Sequence, residues 1–313
     1  MNDFKHNSAT GRLNSEDFRP LKPGKPIEEQ TGRIDPGCRK SAWIRLKSNK
    51  KATAALWIMI VVALLSLLGP VMSKYDDATN DLHLTNAAPS SEHWFGTDDL
   101  GRDMWARTWK GGRISLFVGI AAALIDLIIG VVYGGVMGFY GGKVDETMNR
   151  VSEILYSIPY MLVVVLLLVV MPPGLWTMIA AISMTGWVQM AWIVRGQIMD
   201  LKNREFVIAS RALGAGSFRL LFRHLLPNAA GPIIATLALT VPSAIFTEAF
   251  LSFLGLGVQA PAASWGTMIS DARSGFNIYP WRMLFPALLI SLTMFAFNAF
   301  GDALREAFDP KSR

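Results

Sequence analysis

Charge is scarce in this sequence: Asp, Glu, Lys and Arg make up 17% of its 313 residues, against about 25% in soluble domains. Cysteine is reduced to Cys38, which excludes an intrachain disulfide framework and a cysteine-ligated metal cluster. The four histidines, His6, His83, His93 and His224, are scattered and form no metal-ligand spacing. No phosphate-cradling G-x-x-x-x-G-K-S/T run occurs, so work driven by ATP would need hydrolysis on another chain. Paired His, Ser/Lys or metal-ligand constellations are also missing from the apolar runs, which argues against a membrane enzyme. The net charge of +6 is spread over segments between apolar runs. That pattern signals membrane topology rather than a nucleic-acid-binding face.

Apolar residues are abundant instead, at 51%, with a mean hydropathy of +0.33. Residues 1–38 are polar, with Pro20, Pro23, Pro26 and Pro36 among mixed charges, a composition that cannot bury enough surface to order itself. The segment is too long and too polar to act as a cleaved signal peptide. Residues 39–51 carry six basic and no acidic side chains around Trp43, Ile44 and Leu46. They suit an amphipathic helix on an anionic lipid surface, or else a positive flank to the first span. The tail is thus expected over 1–51.

Six transmembrane helices of an all-α membrane protein are expected, since a span needs about 20 apolar residues. The first covers 52–72, and residues 73–113 form an external segment. The core domain covers 114–302, with spans at about 114–140, 154–172, 175–195, 229–254 and 283–302. Residues 141–153 read as a charged loop, 196–228 as a long polar loop and 303–313 as a tail. Pro172-Pro173-Gly174 divides an uncharged run of 41 residues, 154–194, into two of these spans. With the N-terminus inside, 23 of the 30 lysines and arginines fall on the cytoplasmic side. The positive-inside rule therefore puts both termini and the 196–228 loop in the cytoplasm.

The span at 114–140 repeats small residues at Ser115, Gly119, Ala122, Gly130, Gly134 and Gly138, mostly four apart. They form one stripe, suited to close helix packing in lipid. Asp126 lies on that stripe and so faces protein. A carboxylate near mid-membrane costs about 2.5–3.5 kcal/mol on insertion scales, which makes it a candidate for substrate or ion passage. A protonated Asp bonded to backbone, or one wetted by a pathway, remains open. Glu248, near the outer end of its span, suits a cap on the following loop or a substrate contact.

The stretch EFVIASRALGAGSFRLLFRHLLPN, 205–228, is the long polar insertion among the apolar runs. Phe206, Ala209, Ala212 and Leu213 fall at helical spacing, so a short helix is predicted from Glu205 to Leu213. Gly214-Ala215-Gly216 ends it through a left-handed residue. Ser217 is predicted to cap a second helix carrying Phe218, Leu221, Phe222 and Leu225 on one side. Pro227 then closes or kinks that helix. The small residues Ala209, Ser210 and Ala212 would let a partner's backbone approach.

This stretch resembles the EAA loop of ABC-importer permeases. Ala209, Gly214 and Leu226-Pro227 match its spacing, while Ile208, Ser210 and His224 depart from it. Further matches are HWFGTDDLGRD (93–103), GGRISL (111–116), GFYGGKVD (138–145), MNRVSEIL (148–155), EAFLSFLGLG (248–257), PAASWG (261–266) and GDALREAFDPK (301–311). Together they are similar to C-type subunits of the oligopeptide/dipeptide (peptide/nickel) branch, oligopeptide C subunits above all. The resemblance implies a type I ABC-importer transmembrane domain in the bacterial inner membrane, without catalytic activity or a cofactor of its own. It implies as partners a homologous B-type permease, two cytoplasmic ATPase subunits holding ATP and Mg, an extracytoplasmic peptide-binding protein, and membrane lipid. It assigns ATPase coupling to Glu205, Phe206, Ala209, Ser210, Arg211, Ala212, Gly214, Ala215 and Pro227. The 93–103 segment is expected to be salt-bridged scaffold or a docking surface for the binding protein. Oligopeptides are the expected cargo, with dipeptides, cell-wall peptides and nickel chelates as alternatives. A proton-coupled secondary carrier using Asp126 and Glu248 is a more distant reading.

Overall fold

The computed structural model describes residues 44–308. The expectations for residues 1–43, including Cys38 and the start of the basic segment, lie outside the described residues, as do those for 309–313. Among the described residues there is no β-strand, only an isolated bridge between Thr97 and Asp103.

Residues 44–48 are helical, with Leu46 buried against Ala303 and Leu304 and Ile44 exposed. Asn49 interrupts the helix and caps the next, its side chain accepting from the Lys51 and Ala52 amides. That satisfies amides that have no partner within the helix. Helix α1 then runs Lys50–Met72.

Helix α2, Met104–Tyr140, begins ten residues before the span expected from 114. Asp103 starts it by accepting from the Ala106 amide at 2.9 Å. Its charged first turns are held by distant partners: Arg107 by Asp98 and Asp271, Lys110 by Asp77. A scan for uncharged runs stops short of such paired charges. The preceding segment folds as a tight turn, with Gly96 and Gly101 at positive φ and Arg102 on Asp98 at 2.7 Å.

The expected loop at 141–153 and span at 154–172 take a different form. Helix α3 covers Gly142–Ser157 and α4 covers Tyr160–Val170. The two are bent by 79°. Pro159 causes the break, because its ring excludes the helical region for Ile158, found at φ −71° and ψ 126°. Helix α4 has 11 residues, a length of about 16 Å against a core of about 30 Å. Five helices are therefore long and apolar enough to cross a membrane, and six if the bent pair counts as one span.

The Pro172-Pro173-Gly174 turn leads into α5, Leu175–Leu201, which outruns the expected end at 195. Helix α6 covers Glu205–Ala212. Helix α7 runs Ser217–Phe253, joining the predicted second knuckle helix and the fifth span in one piece. Pro227 neither closes nor sharply breaks it. Leu220–Leu225 adopt the wider π register, the Leu226 amide bonding to Leu221 O, so Pro227 enters the following α-helical turns at a point that needs no amide. Helix α8, Trp265–Ala272, and α9, Trp281–Phe308, complete the bundle.

Helix α2 is central. Its small-residue stripe lies against the backbone of α5: a methyl on Gly138 would stand 2.7 Å from Arg195 O, and one on Gly134 would collide with Ala191 O. A methyl on Gly130 would meet Met190 Cβ at 2.6 Å, and one on Gly119 would strike Ile245 of α7. Any side chain at these points would separate the helices and forfeit the dispersion contacts that hold them in lipid.

Candidate functional site

The knuckle formed by α6 and the start of α7 is attached through a few apolar side chains. Val207 is 1% exposed and packs with Leu220, Leu221 and Leu225 of α7 and Ile198 of α5. Phe206 and Ala215 border that cluster. The buried face of α6 is therefore centred on Val207, a side of the helix that its spacing did not specify. Leu213 is 89% exposed, and Glu205, Ala209, Arg211 and Ala212 are exposed too. Ser210 is half-buried, its hydroxyl donating to Phe206 O at 2.7 Å.

Leu213 is the C-cap, and Gly214 follows with φ +84°. The Ala215 amide reaches back to Ser210 O at 3.1 Å. Glycine enters this left-handed conformation without a Cβ clash. The cap of α7 is Gly216 rather than the predicted Ser217, whose side chain makes no capping bond. On α7, Phe218 and Phe222 project outward with ring centroids 4.5 Å apart, while Leu220, Leu221 and Leu225 turn inward. The predicted single apolar side of this helix is thus divided by the π turn. Ile208, Leu213 and Phe218 are likewise exposed large apolar side chains of the knuckle. Pro227 is exposed about two and a half turns beyond Phe218.

From the knuckle end, α5 and α7 enclose a cavity of about 950 Å³. Asp200 of α5 and Arg305 of α9 stand at its knuckle end, and Asp126 lies deep inside it. On α7 the wall runs from Pro232 to Thr247, a length of about 22 Å at the helical rise. Thr236, Thr240, Ser243 and Thr247 make this wall hydroxyl-rich. Thr236 donates to Pro232 O at 2.9 Å, Thr240 to Thr236 O at 3.0 Å, and Thr247 to Ser243 O at 2.9 Å. Opposite them stand Gln189 and Trp192 of α5, with Tyr156 and Tyr160 from the two sides of the α3–α4 bend. Gln189 donates to the Tyr156 hydroxyl at 2.9 Å. A cavity so lined can pass a polar solute without offering it a tight pocket.

Asp126 is 2% exposed, and its Oδ1 has no hydrogen-bond partner. Glu248 is 0% exposed but does not line the cavity. Its Oε2 accepts from Ser115 of α2 and its Oε1 from Ser252, each at 2.8 Å. Ser115 Oγ also accepts from the Trp265 amide at 3.3 Å, and Ser264 donates to Ser252 at 3.4 Å. Glu248 thus ties α2, α7 and the start of α8 together. Sequence spacing missed the cavity residues on α5 and Tyr160. The hydroxyls on α7, four apart or nearly so, were the one periodic signal available.

The family model described as "Binding-protein-dependent transport system inner membrane component" matches residues 130–313. A second, "N-terminal TM domain of oligopeptide transport permease C", matches 39–89. The oligopeptide transport system permease protein OppC of Bacillus subtilis is 55% identical over 88% of this chain and 90% of its own length. The dipeptide transport system permease protein DppC of the same organism is 54% identical over 88% of this chain and 86% of its own. OppC of Escherichia coli K12 is 43% identical over 86% and 90%. Among solved structures, an inward-facing MetNI methionine ABC transporter chain superposes with a TM-score of 0.53 at 18% identity. That match covers 63% of this chain and 94% of the other, and it bears on the fold.

Proposed function

The chain belongs to the family of binding-protein-dependent transport system inner membrane components, and from that membership we propose that its cavity is half of a peptide pathway worked by separate ATPases. It is a multi-pass inner-membrane permease subunit of an ABC importer, of the oligopeptide permease C type. Oligopeptides are the proposed cargo, and dipeptides are the second choice because a dipeptide permease is almost equally similar. A homologous permease would close the open side of the cavity. One of the two ATPases would dock on the knuckle, with a peptide-binding protein at the opposite end. ATP and Mg would be held by the ATPases. Both termini and the knuckle are proposed to be cytoplasmic.

One observation carries this reading: α7 is a single helix from the exposed knuckle at Ser217 to the cavity wall at Thr247. A displacement imposed on α6 by a closing ATPase is delivered through Val207 to α7, and along α7 to the residues that line the cavity. Alternating access needs such a link between the power source and the wall. The coupling surface is proposed to be Glu205, Ala209, Arg211, Ala212 and Gly214, flanked by Leu213 and Phe218. Phe206, Ser210 and Ala215 shape it from beneath, and Pro227 stands where the π turn rejoins the α-helix.

The test uses Gly214→Val and Ala209→Arg in the assembled complex. A Cβ at Gly214 meets nothing within 4 Å, so the valine acts through the backbone, at about 1–2 kcal/mol. The arginine places a charge in the contact and leaves the turn alone. Both variants should stay inserted and paired with the partner permease. ATPase co-purification and peptide uptake should fall about tenfold, the equivalent of 1.4 kcal/mol. Full ATPase retention with normal uptake in both would remove the knuckle from the mechanism.

A further inference from the structure

Asp126 stands out among the groups lining the cavity. Burying a carboxylate oxygen with no partner is expensive, yet Oδ1 has none. The hydroxyl of Tyr160, lining the same cavity, is also buried without a partner. Tyr160 comes from α4, beyond the bend, yet reaches the same cavity as Asp126. Space for the carboxylate is provided by Gly186 of α5: a methyl there would stand 2.9 Å from Asp126 Cγ and 3.0 Å from Oδ1. Among the described residues, Arg305 is the only basic one lining the cavity, and it stands at the knuckle end with Asp200. No lysine, arginine or histidine of the described lining therefore neutralises Asp126.

We propose that Asp126 and Tyr160 form a subsite for a protonated amine on the wall of the cavity. An ammonium group carries three donors and no acceptor, so it satisfies Oδ1 and the Tyr160 oxygen together. A carboxylate would be repelled. Tyr156 and Trp192, packed edge to face with centroids 5.1 Å apart, line the same cavity. In a peptide the ammonium is the amino terminus or a lysine side chain. The inference rests on the reading of the cavity as the pathway. The subsite would orient a peptide as it passes, and its single charge keeps the hold weak enough to release.

The test is uptake by proteoliposomes holding the complete importer with its binding protein. Asp126→Asn and Tyr160→Phe are compared with wild type on three peptides: tri-alanine, N-acetyl-tri-alanine and N-acetyl-Ala-Lys-Ala. Each variant is expressed as a fraction of wild type for the same peptide, so the binding protein's own selectivity cancels. Asp126→Asn should lower tri-alanine uptake about tenfold and N-acetyl-tri-alanine uptake less than about twofold, as expected for one charged hydrogen bond. Tyr160→Phe, which removes only a hydroxyl without a partner, should change the same ratio about threefold. Loss of the acetylated lysine peptide along with tri-alanine assigns the site to any ammonium; its retention assigns the site to the amino terminus. Equal fractional losses on all three peptides, or no loss on any, would overturn the subsite. Thr240→Trp separates the two levels, because it fills the cavity away from Asp126. Block of all three peptides by Thr240→Trp upholds the pathway whatever Asp126→Asn does, and unimpeded uptake rejects the pathway and the subsite with it.

Discussion

Asp126 and Glu248 are both buried carboxylates on membrane helices, and their surroundings are opposite. Glu248 has each oxygen occupied by a serine hydroxyl, and those serines connect onward to the start of α8. Asp126 faces a cavity with one oxygen unoccupied. Both bear the penalty of removing a carboxylate from water. At Glu248 three chain segments offset it, and the result is a joint that holds the start of α2, the end of α7 and the start of α8 together. At Asp126 no described residue bonds Oδ1, the atom that the proposed ammonium would meet. Burial alone therefore does not distinguish the two carboxylates; the occupancy of their oxygens does.

The sharpest way to break this comparison is to truncate both residues. Glu248→Ala leaves the hydroxyls of Ser115 and Ser252 without their acceptor in a sealed site, at about 1–3 kcal/mol for each stranded group. The variant subunit should melt several degrees lower in detergent, or fail to accumulate in membranes. If Asp126→Ala lowers the melting temperature of the complex as much, the contrast between the two carboxylates is lost. A smaller effect is expected from Asp126→Leu, which replaces a poorly satisfied carboxylate with an apolar group of similar size. Its assembly and melting temperature should match wild type within about 1 kcal/mol, while peptide uptake falls. Reduced assembly would make Asp126 a structural residue. The mildest expected change is Glu248→Gln. The amide keeps the shape and one acceptor oxygen, and the serine hydroxyls can rotate to accept from its nitrogen. A loss of about 1 kcal/mol or less in thermal stability is expected, with uptake preserved. A loss as large as that of Glu248→Ala would show that the charge, not the hydrogen-bond geometry, holds the joint.

Much of the bundle was legible because water and lipid act on composition directly. The runs at 52–72, 175–195 and 283–302 fall within α1, α5 and α9, since an uncharged stretch of that length has few other fates. The four-residue repeat on α2 put Asp126 and its glycines on one face, and helical geometry needs no further information to do so. Gly214 was legible for a comparable reason, since the position just past a helix end favours a residue with no Cβ. Less legible were elements whose form depends on partners far along the chain. Arg107 and Lys110 end an apolar run on paper, yet belong to α2 because Asp98, Asp271 and Asp77 come to meet them. Pro159 stands in an uncharged run of 41 residues, and nothing in hydropathy distinguishes a bend of 79° from a straight crossing.

The site divides along the same line. Residue order alone places a short helix, a left-handed glycine and a further helix at 205–228, because capping and helical period are local properties of the backbone. It also puts a carboxylate on the packed face of a membrane helix. It does not say which side of α6 is buried, because that depends on Val207 meeting Leu220, Leu221 and Leu225 across the turn. Nor does it say which carboxylate is occupied. Ser115 lies 133 residues from Glu248, and Tyr160 reaches the cavity from a helix beyond a bend. Such encounters are settled by the packing of helices against one another, where a hydrogen bond made or left unmade at long range changes the meaning of an otherwise identical side chain.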